Sequence, residues 1–276
     1  MQNRMKKLII IAAAIGLISS GCKPSPKNNN RITIAGSTTV LPIAQLAAEV
    51  FMDSHRDITI SIRGGGSGVG IAQLLSGNID IADASREIKP EELQIARQKG
   101  KNIIGTTIAL DGIAVVVNKQ NPLSEIDVNT LKNIYTGKIN NWKMVGGLDR
   151  PVVVISRDIA SGTFEVFKSK VLQGEKTTQT SLMLVSNKEI AGTVAQTPGA
   201  IGYIGIGFLT DEIKALKIDS IMPSTETVKN GTYKLARSLY MYTNSEPKQA
   251  TKTFIDFVLS AQGQKIVQEA GYVPLY

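Results

Sequence analysis

PVVVISRDIASGTFEVF, residues 151–167, is a β-branched apolar run that meets Arg157 and turns through Ser161-Gly162-Thr163 into a helical pattern. A permanent cation and a glycine-bearing, hydroxyl-rich turn at a helix mouth suit an anion, because the first-turn N–H groups are free and the helix dipole favours negative charge there. The same grammar recurs along the chain. RITIAG (31–36) precedes the helical LPIAQLAAEVFMD (41–53), and DITISIRGGG (57–66) precedes GVGIAQLLSG (68–77). NIDIADAS (78–85) precedes KPEELQIARQKG (89–100), whose front is acidic and whose back is basic, as the helix dipole favours. NIIGTTIALDGIAVVVN (102–118) reads as one or two buried strands, and DVNTLKNIYTG, GTFEVFKSKVL and KEIAGTVAQTPG as helices. AIGYIGI and ARSLYMYTN read as strands, and residues 248–271 as one or two helices. Strands alternating with helices make this an α/β chain, in which ligands sit beyond the carboxyl ends of strands.

The amino-terminal end sets the compartment. Arg4, Lys6 and Lys7 precede the apolar LIIIAAAIGLI and then SSGC, the layout of an export signal over residues 1–22. Cys22 is the single cysteine, so no intrachain disulfide can form. A cysteine directly after glycine at the end of such a run resembles the lipobox of bacterial lipoproteins, with Ser19 where that pattern prefers leucine; the bland alternative is ordinary cleavage beside an incidental cysteine. Residues 23–31 read as a flexible tether, KPSPKNNN offering no apolar residue to bury. Loss of residues 1–22 removes three bases and brings the formal charge from +8 to +5; Lys23, Lys27 and Arg31 account for three more, leaving about +2 on residues 32–276. The basic balance is therefore made at the end of the chain, and no clustered cations with interleaved aromatics suggest a nucleic-acid partner.

Four strand-to-helix loops share one chemistry: Ser37, Thr38 and Thr39 in AGSTTVLP; Ser67 among five glycines in RGGGSGVG; Ser85 and Arg86 in ADASRE; Arg157, Ser161, Gly162 and Thr163 in SRDIASGT. Singly each reads as a helix cap; together they read as an oxyanion site. Enzyme motifs fail by inspection. The glycine loop has no P-loop lysine, no G-x-G-x-x-G can be laid on residues 64–70, and no serine stands in a G-x-S-x-G elbow. One histidine, His55, reads as a surface turn residue, and one histidine with one cysteine cannot build a His/Cys metal site. No cofactor is implied. A phosphomonoesterase with Ser161 or Thr38 as nucleophile would lack a nearby base.

GSTTVLP, GGGSGVGIAQL, IADASRE, ALDGIAVVVN, IYTGKINNW, SRDIASGTFEVF, GAIGYIG and LARSLYMYT, in this order, resemble the phosphate-binding proteins of bacterial Pst-type phosphate ABC transporters, from about residue 31 to the carboxyl terminus. The resemblance implies a two-lobed periplasmic-binding-protein fold of type II-like form. Each lobe would be a sheet flanked by helices, with the ligand in the cleft and crossovers near DGIAVVVN and LARSLYMYT. Lobe I would comprise residues 31–112 plus 238–276, and lobe II residues 113–237. It implies phosphate contacts from Thr38 through its hydroxyl, Thr39 through its backbone N–H, Ser67, Ser85, Arg157, Ser161, Gly162 and Thr163.

Two positions depart from the family pattern. An aspartate is expected where Ser85 stands, and an acid two places before Ser161 is Ile159 here, Asp158 lying one place off. The carboxylate that accepts the proton of dibasic phosphate must then come from elsewhere. Asp111 in ALDG is the first candidate, with a self-capping turn as its bland reading; Asp83 and Asp158 follow. The expected protein is a monomeric, lipid-anchored, extracytoplasmic receptor delivering phosphate to ABC permease subunits, with sulfate, molybdate or tungstate as alternative ligands. A phosphate-sensing surface protein without transport reads identically. Trp142 is expected in a lobe core, and Arg86 paired with Glu87 or a helix carboxyl end, with a reach to the ligand as the alternative.

Overall fold

The computed structural model describes residues 29–276. The export segment, Cys22 and most of the tether lie outside the described residues. In chain order the elements are β1 (Arg31–Gly36), α1 (Leu41–Ser54), β2 (Thr59–Arg63), α2 (Ser67–Ser76), β3 (Ile81–Ala84), α3 (Pro90–Gln98), β4 (Ile103–Asn118), β5 (Glu125–Ile126), α4 (Val128–Tyr135), β6 (Val153–Arg157) and α5 (Gly162–Phe167). They continue with β7 (Leu182–Leu184), α6 (Asn187–Gln196), β8 (Ala200–Gly205), β9 (Ile213–Ala215), β10 (Lys217–Ile218), α7 (Thr225–Lys229), β11 (Ala236–Asn244), α8 (Gln249–Leu259) and α9 (Ala261–Glu269).

The main sheet runs β2-β1-β3-β11-β4-β8-β6-β7, with β9 also on β4. The β1, β2 and β3 strands pair in parallel, as do β6, β7 and β8. Among the described residues only the long β4 serves both halves: residues 103–112 pair antiparallel with β11, and residues 113–117 pair antiparallel with β8. A 16-residue strand can do this because its apolar run is unbroken by proline, and its register with β11 shifts once, at Leu239/Tyr240. NIIGTTIALDGIAVVVN is thus one strand, not two. It and β11 are the strands expected to cross between lobes.

Separate cores lie on either side of these strands. One gathers Ile32, Ile34, Phe51, Leu239, Met241, Phe254 and Val258 beneath α1, α8 and α9, with a smaller cluster of Ile71, Leu74 and Tyr242 under α2. The other packs Val115, Val117, Tyr135, Phe167, Ile201 and Tyr203 against α4, α5 and α6. Trp142 belongs to this second core, as expected; its Nε1–H donates to the Gly199 carbonyl at 2.9 Å. The carboxyl-terminal helical run breaks at Ser260, whose Oγ accepts from the Gly263 N–H at 3.2 Å and so starts α9. Gly263 is required there, because a Cβ would lie 2.2 Å from the Phe257 carbonyl oxygen. His55 ends α1 and stacks on Phe51, with ring centroids 4.0 Å apart.

Candidate anion site

Along β4 the parallel strands of the two halves run in opposite senses with their carboxyl ends facing each other, and the loops after β1, β2, β3 and β6 meet between the two cores. In the first loop, Ser37 Oγ accepts from the Thr39 N–H at 3.1 Å and the Val40 N–H at 3.4 Å, while Ser37 N–H donates to the Asp83 carbonyl at 2.8 Å. These bonds fix the turn into α1 and hold Thr38 and Thr39 inward. The Thr39 N–H, expected to face a ligand, is here taken by Ser37; what Thr39 presents is its hydroxyl. Gly66, at φ +93°, opens α2, and Ser67 is the first residue of that helix. Ser67 Oγ accepts from the Ser85 N–H at 3.0 Å and lies 3.4 Å from Ser85 Oγ.

In the other half, β6 carries Arg157 to the cleft. Its backbone N–H donates to the Tyr203 hydroxyl at 3.1 Å, which also pairs with Ser156 Oγ at 2.9 Å. Burial pushes that tyrosine up to about 12, so it stays neutral. Asp158 Oδ1 accepts from the Ala160 N–H at 2.7 Å, and the Asp158 carbonyl from the Ser161 N–H at 3.1 Å, closing the turn into α5. Ser161 then caps α5, accepting from the Phe164 N–H at 3.3 Å. Asp158 thereby shapes the loop.

The halves touch. Thr39 Oγ1 lies 3.2 Å from Thr163 Oγ1, Arg157 Nη2 donates to Thr38 Oγ1 at 3.0 Å, and the Gly68 N–H donates to the Ala160 carbonyl at 3.0 Å. At the rim Lys89 Nζ pairs with Glu165 Oε1 at 2.8 Å. A Cβ on Gly162 would lie 2.4 Å from Ser67 Oγ and 2.7 Å from Ser85 Oγ. All eight residues read as donors, from Thr38 to Thr163, therefore gather in one buried place.

Arg157 is 1% exposed, and its guanidinium contacts Asn187 Oδ1 (3.2 Å), Thr38 Oγ1 (3.0 Å) and the Val185 carbonyl (2.8 Å). None of these is a carboxylate. Burial lowers its pKa to about 10, still leaving it charged at neutral pH. Five N–H groups less these three bonds leave two donors, and Nε has no partner among the described residues.

The acids fall differently from their sequence reading. Asp111 sits inside β4, not in a turn. Its Oδ2 accepts from Arg237 Nε (2.9 Å) and Nη2 (2.6 Å), and its Oδ1 from the Ile206 N–H (3.1 Å). Burial lifts this carboxyl above its ordinary range, while Arg237 and the Ile206 N–H pull against the lift. Its oxygens are occupied, so it offers the cleft no idle acceptor. Arg86 pairs with Glu92 at 2.7 Å rather than with the Glu87 carboxylate, and meets Glu87 only at its backbone carbonyl, at 2.8 Å. Ile159 is 74% exposed. Two residues of the cluster escaped the sequence reading, Asn187 and Arg237. Asn187 follows the helix-capping Ser186 in VSNKEIAG, a fifth strand-to-helix junction of the same grammar; Arg237 is a lone cation at the start of an apolar strand.

Asp83 is 1% exposed, and its Oδ1 has no partner among the described residues. Burial raises its pKa well above the usual carboxylate range. A group so raised contributes fully below its unfolded pKa, and that contribution is lost as pH rises toward the folded value. Asp83→Asn removes the titration. Thermal denaturation should show the variant more stable than wild type at neutral pH, the gap closing below about pH 4. A gap independent of pH would contradict the assignment.

Comparison with known proteins agrees with this geometry. The sequence profile of the PBP superfamily domain matches residues 23–262. The phosphate-binding protein PstS of Bacillus subtilis is 33% identical over 280 residues, covering 98% of this chain and 92% of that one. The chain belongs to the PstS family. The Staphylococcus aureus PstS is 35% identical, covering 86% of this chain and 76% of that one. Among solved structures, a Clostridium perfringens substrate-binding protein assigned to a phosphate ABC transporter, with phosphate bound, superposes with a TM-score of 0.84 at 36% identity. It covers 90% of this chain and 100% of its own. A Vibrio cholerae ABC-type phosphate transport receptor gives 0.74 at 33% identity, covering 88% and 99%. The PstS-family fold accounts for the two cores, the shared β4 and the loops converging between them.

Proposed function

We propose that this protein captures inorganic phosphate between its lobes and delivers it to an ABC-type permease. The observation that carries the reading is the convergence of Thr38, Ser67, Ser161, Thr163 and a buried Arg157 that lacks a carboxylate partner among the described residues. A buried cation with donors to spare is completed by an oxyanion. The arginine fork and the first turns of α2 and α5 supply charge and N–H groups, and the hydroxyls supply directed protons. Relatives and solved structures named for phosphate binding and phosphate transport support the same ligand.

Lobe I is residues 31–112 with 238–276, and lobe II residues 113–237. Phosphate contacts both at once, so the ligand favours the closed arrangement over an open one. With Asp111 and Asp158 engaged elsewhere, Asp83, whose Oδ1 has no partner among the described residues, is the remaining carboxyl candidate for the ligand's proton; without it that proton faces a hydroxyl and discrimination against sulfate is correspondingly weaker. Export and lipidation at Cys22 hold the receptor at the membrane as a monomer outside the cytoplasm. Its work is binding, not catalysis.

Equilibrium titration with phosphate, sulfate, molybdate and tungstate tests the reading. Phosphate is expected to bind most tightly, followed by sulfate. Preference for molybdate or tungstate would move the protein to another oxyanion.

A further inference from the structure

Asn187 is fully buried at the first position of α6 and uses all of its hydrogen-bonding capacity. Its Oδ1 accepts from Arg157 Nη1 at 3.2 Å and the Gly205 N–H at 3.3 Å. Its Nδ2 donates to Thr39 Oγ1 at 3.1 Å and Thr38 Oγ1 at 3.4 Å. The neighbours fix the orientation of the amide. A guanidinium and a backbone N–H can only donate, so they must face its oxygen; the flipped amide would set donors against donors.

A threonine hydroxyl has one proton and two acceptor positions. Thr38 Oγ1 receives Asn187 and, at 3.0 Å, Arg157 Nη2. Thr39 Oγ1 receives Asn187 and, at 3.3 Å, Arg237 Nη2. Arg237 is itself aimed by its two bonds to Asp111. Both acceptor positions of both threonines are filled, so each hydroxyl can only donate; Thr163 Oγ1, 3.2 Å from Thr39 Oγ1, is the acceptor of the Thr39 proton until a ligand takes it.

The geometry points to Asn187 as a positioning residue for selectivity: together with Arg157 and Arg237 it makes Thr38 and Thr39 obligate donors, complementary to unprotonated phosphate oxygens. This rests on the reading of the site as a phosphate cleft. The P–OH of the hydrogenphosphate dianion must then turn away from this pair. The cluster also holds Ser67 and Ser85, where Ser67 Oγ accepts the Ser85 N–H and can also accept the Ser85 proton. A Ser85 hydroxyl donating to Ser67 has lone pairs left for the ligand's proton. Ser85 thus offers the ligand's proton a neutral acceptor, two residues along the chain from the buried carboxyl of Asp83.

The test titrates phosphate, and sulfate as a proton-free reference, across the second ionisation of phosphate. Wild type should lose phosphate affinity steeply as pH falls, because a second P–OH has no acceptor beside the threonines; sulfate should change little. Asn187→Leu reopens an acceptor position on both threonines. It should weaken phosphate by about tenfold, one or two ordinary hydrogen bonds, and flatten the acid-side loss. Thr39→Val leaves Asn187 intact and should weaken phosphate similarly, whereas Thr39→Ser should keep the wild-type affinity and pH slope. If Asn187→Leu lowers both anions by one factor and leaves the phosphate slope unchanged, Asn187 is structural and the assignment falls. Wild-type protein that binds neither anion overturns the phosphate reading, and the assignment with it.

Discussion

Replacing Arg157 by methionine should raise the dissociation constant for phosphate by at least about a hundredfold, two charge-assisted bonds of about 1.5–3 kcal/mol each being lost. The same change should not destabilise the ligand-free protein. Arg157 is a charge kept 1% exposed with no carboxylate against it among the described residues, and its pKa is depressed by that burial. An uncompensated buried ion costs several kcal/mol, and apolar side chains of similar volume are commonly neutral or stabilising in its place. Methionine matches the length and adapts to irregular space. Against this gain stand the bonds lost to Thr38, the Val185 carbonyl and Asn187, of which Asn187 Oδ1 keeps the Gly205 N–H. The melting temperature without phosphate should therefore hold or rise, by about 2–4 °C for each kcal/mol gained. Calorimetric titration and thermal denaturation check both halves. A methionine variant that binds within tenfold of wild type would show that Arg157 is a structural cation and that the anion sits elsewhere. Loss of stability would show that its hydrogen bonds outweigh its burial.

That arginine was legible from its sequence context alone, for a reason that explains which features were not. β6, its turn and α5 are local: strand, cation, Ser-Gly-Thr and helix follow one another within Pro151–Phe167, and each local preference agrees with the fold. The loops after β1, β2 and β3 were readable on the same terms. Two things were not. Pairings across long stretches of chain leave no local trace, so nothing near Asp111 announces that its partner is Arg237, 126 residues away. An aspartate beside a glycine reads as a turn, yet tertiary pairing with β11 keeps ALDG inside a continuous strand. The second is the direction of a donor. Thr39 could offer an N–H or a hydroxyl, and only the Ser37 side chain, by taking the N–H, decides between them. Asn187 belongs with these cases: its junction was visible, while its four partners come from β6, β8 and the first loop.

Gly162→Ala is the complementary experiment, because it leaves every donor in place and attacks closure alone. The added methyl would stand 2.4 Å from Ser67 Oγ, 2.7 Å from Ser85 Oγ and 3.1 Å from Ser67 Cβ. The obstruction cannot swing away as a long side chain would. Ser67 is the first residue of α2 and is bound to the Ser85 N–H. Its hydroxyl can rotate only by giving up that bond, and its Cβ cannot rotate at all. Relief must come from moving α5 away from α2, which is the motion of opening. Overpacking of this kind costs about 1–3 kcal/mol. Here the cost falls on the closed form alone, since Ser67 belongs to lobe I and Gly162 to lobe II. A penalty confined to one of two states lowers phosphate affinity by its full value, about 5–150-fold, and the 2.4 Å approach places the expectation at the upper end. In the open form alanine is the better helix former, so stability without ligand should be unchanged or slightly raised. Gly192→Ala supplies the control: it lies within α6 with no atom inside 4 Å of its added methyl, and should stabilise by about 0.5–1 kcal/mol with phosphate affinity intact. Small-angle scattering completes the argument. Wild type should contract when phosphate is added and Gly162→Ala should not, even at concentrations that saturate it. Contraction in both, with equal affinity, would mean that the α2–α5 contact is not what closes the cleft.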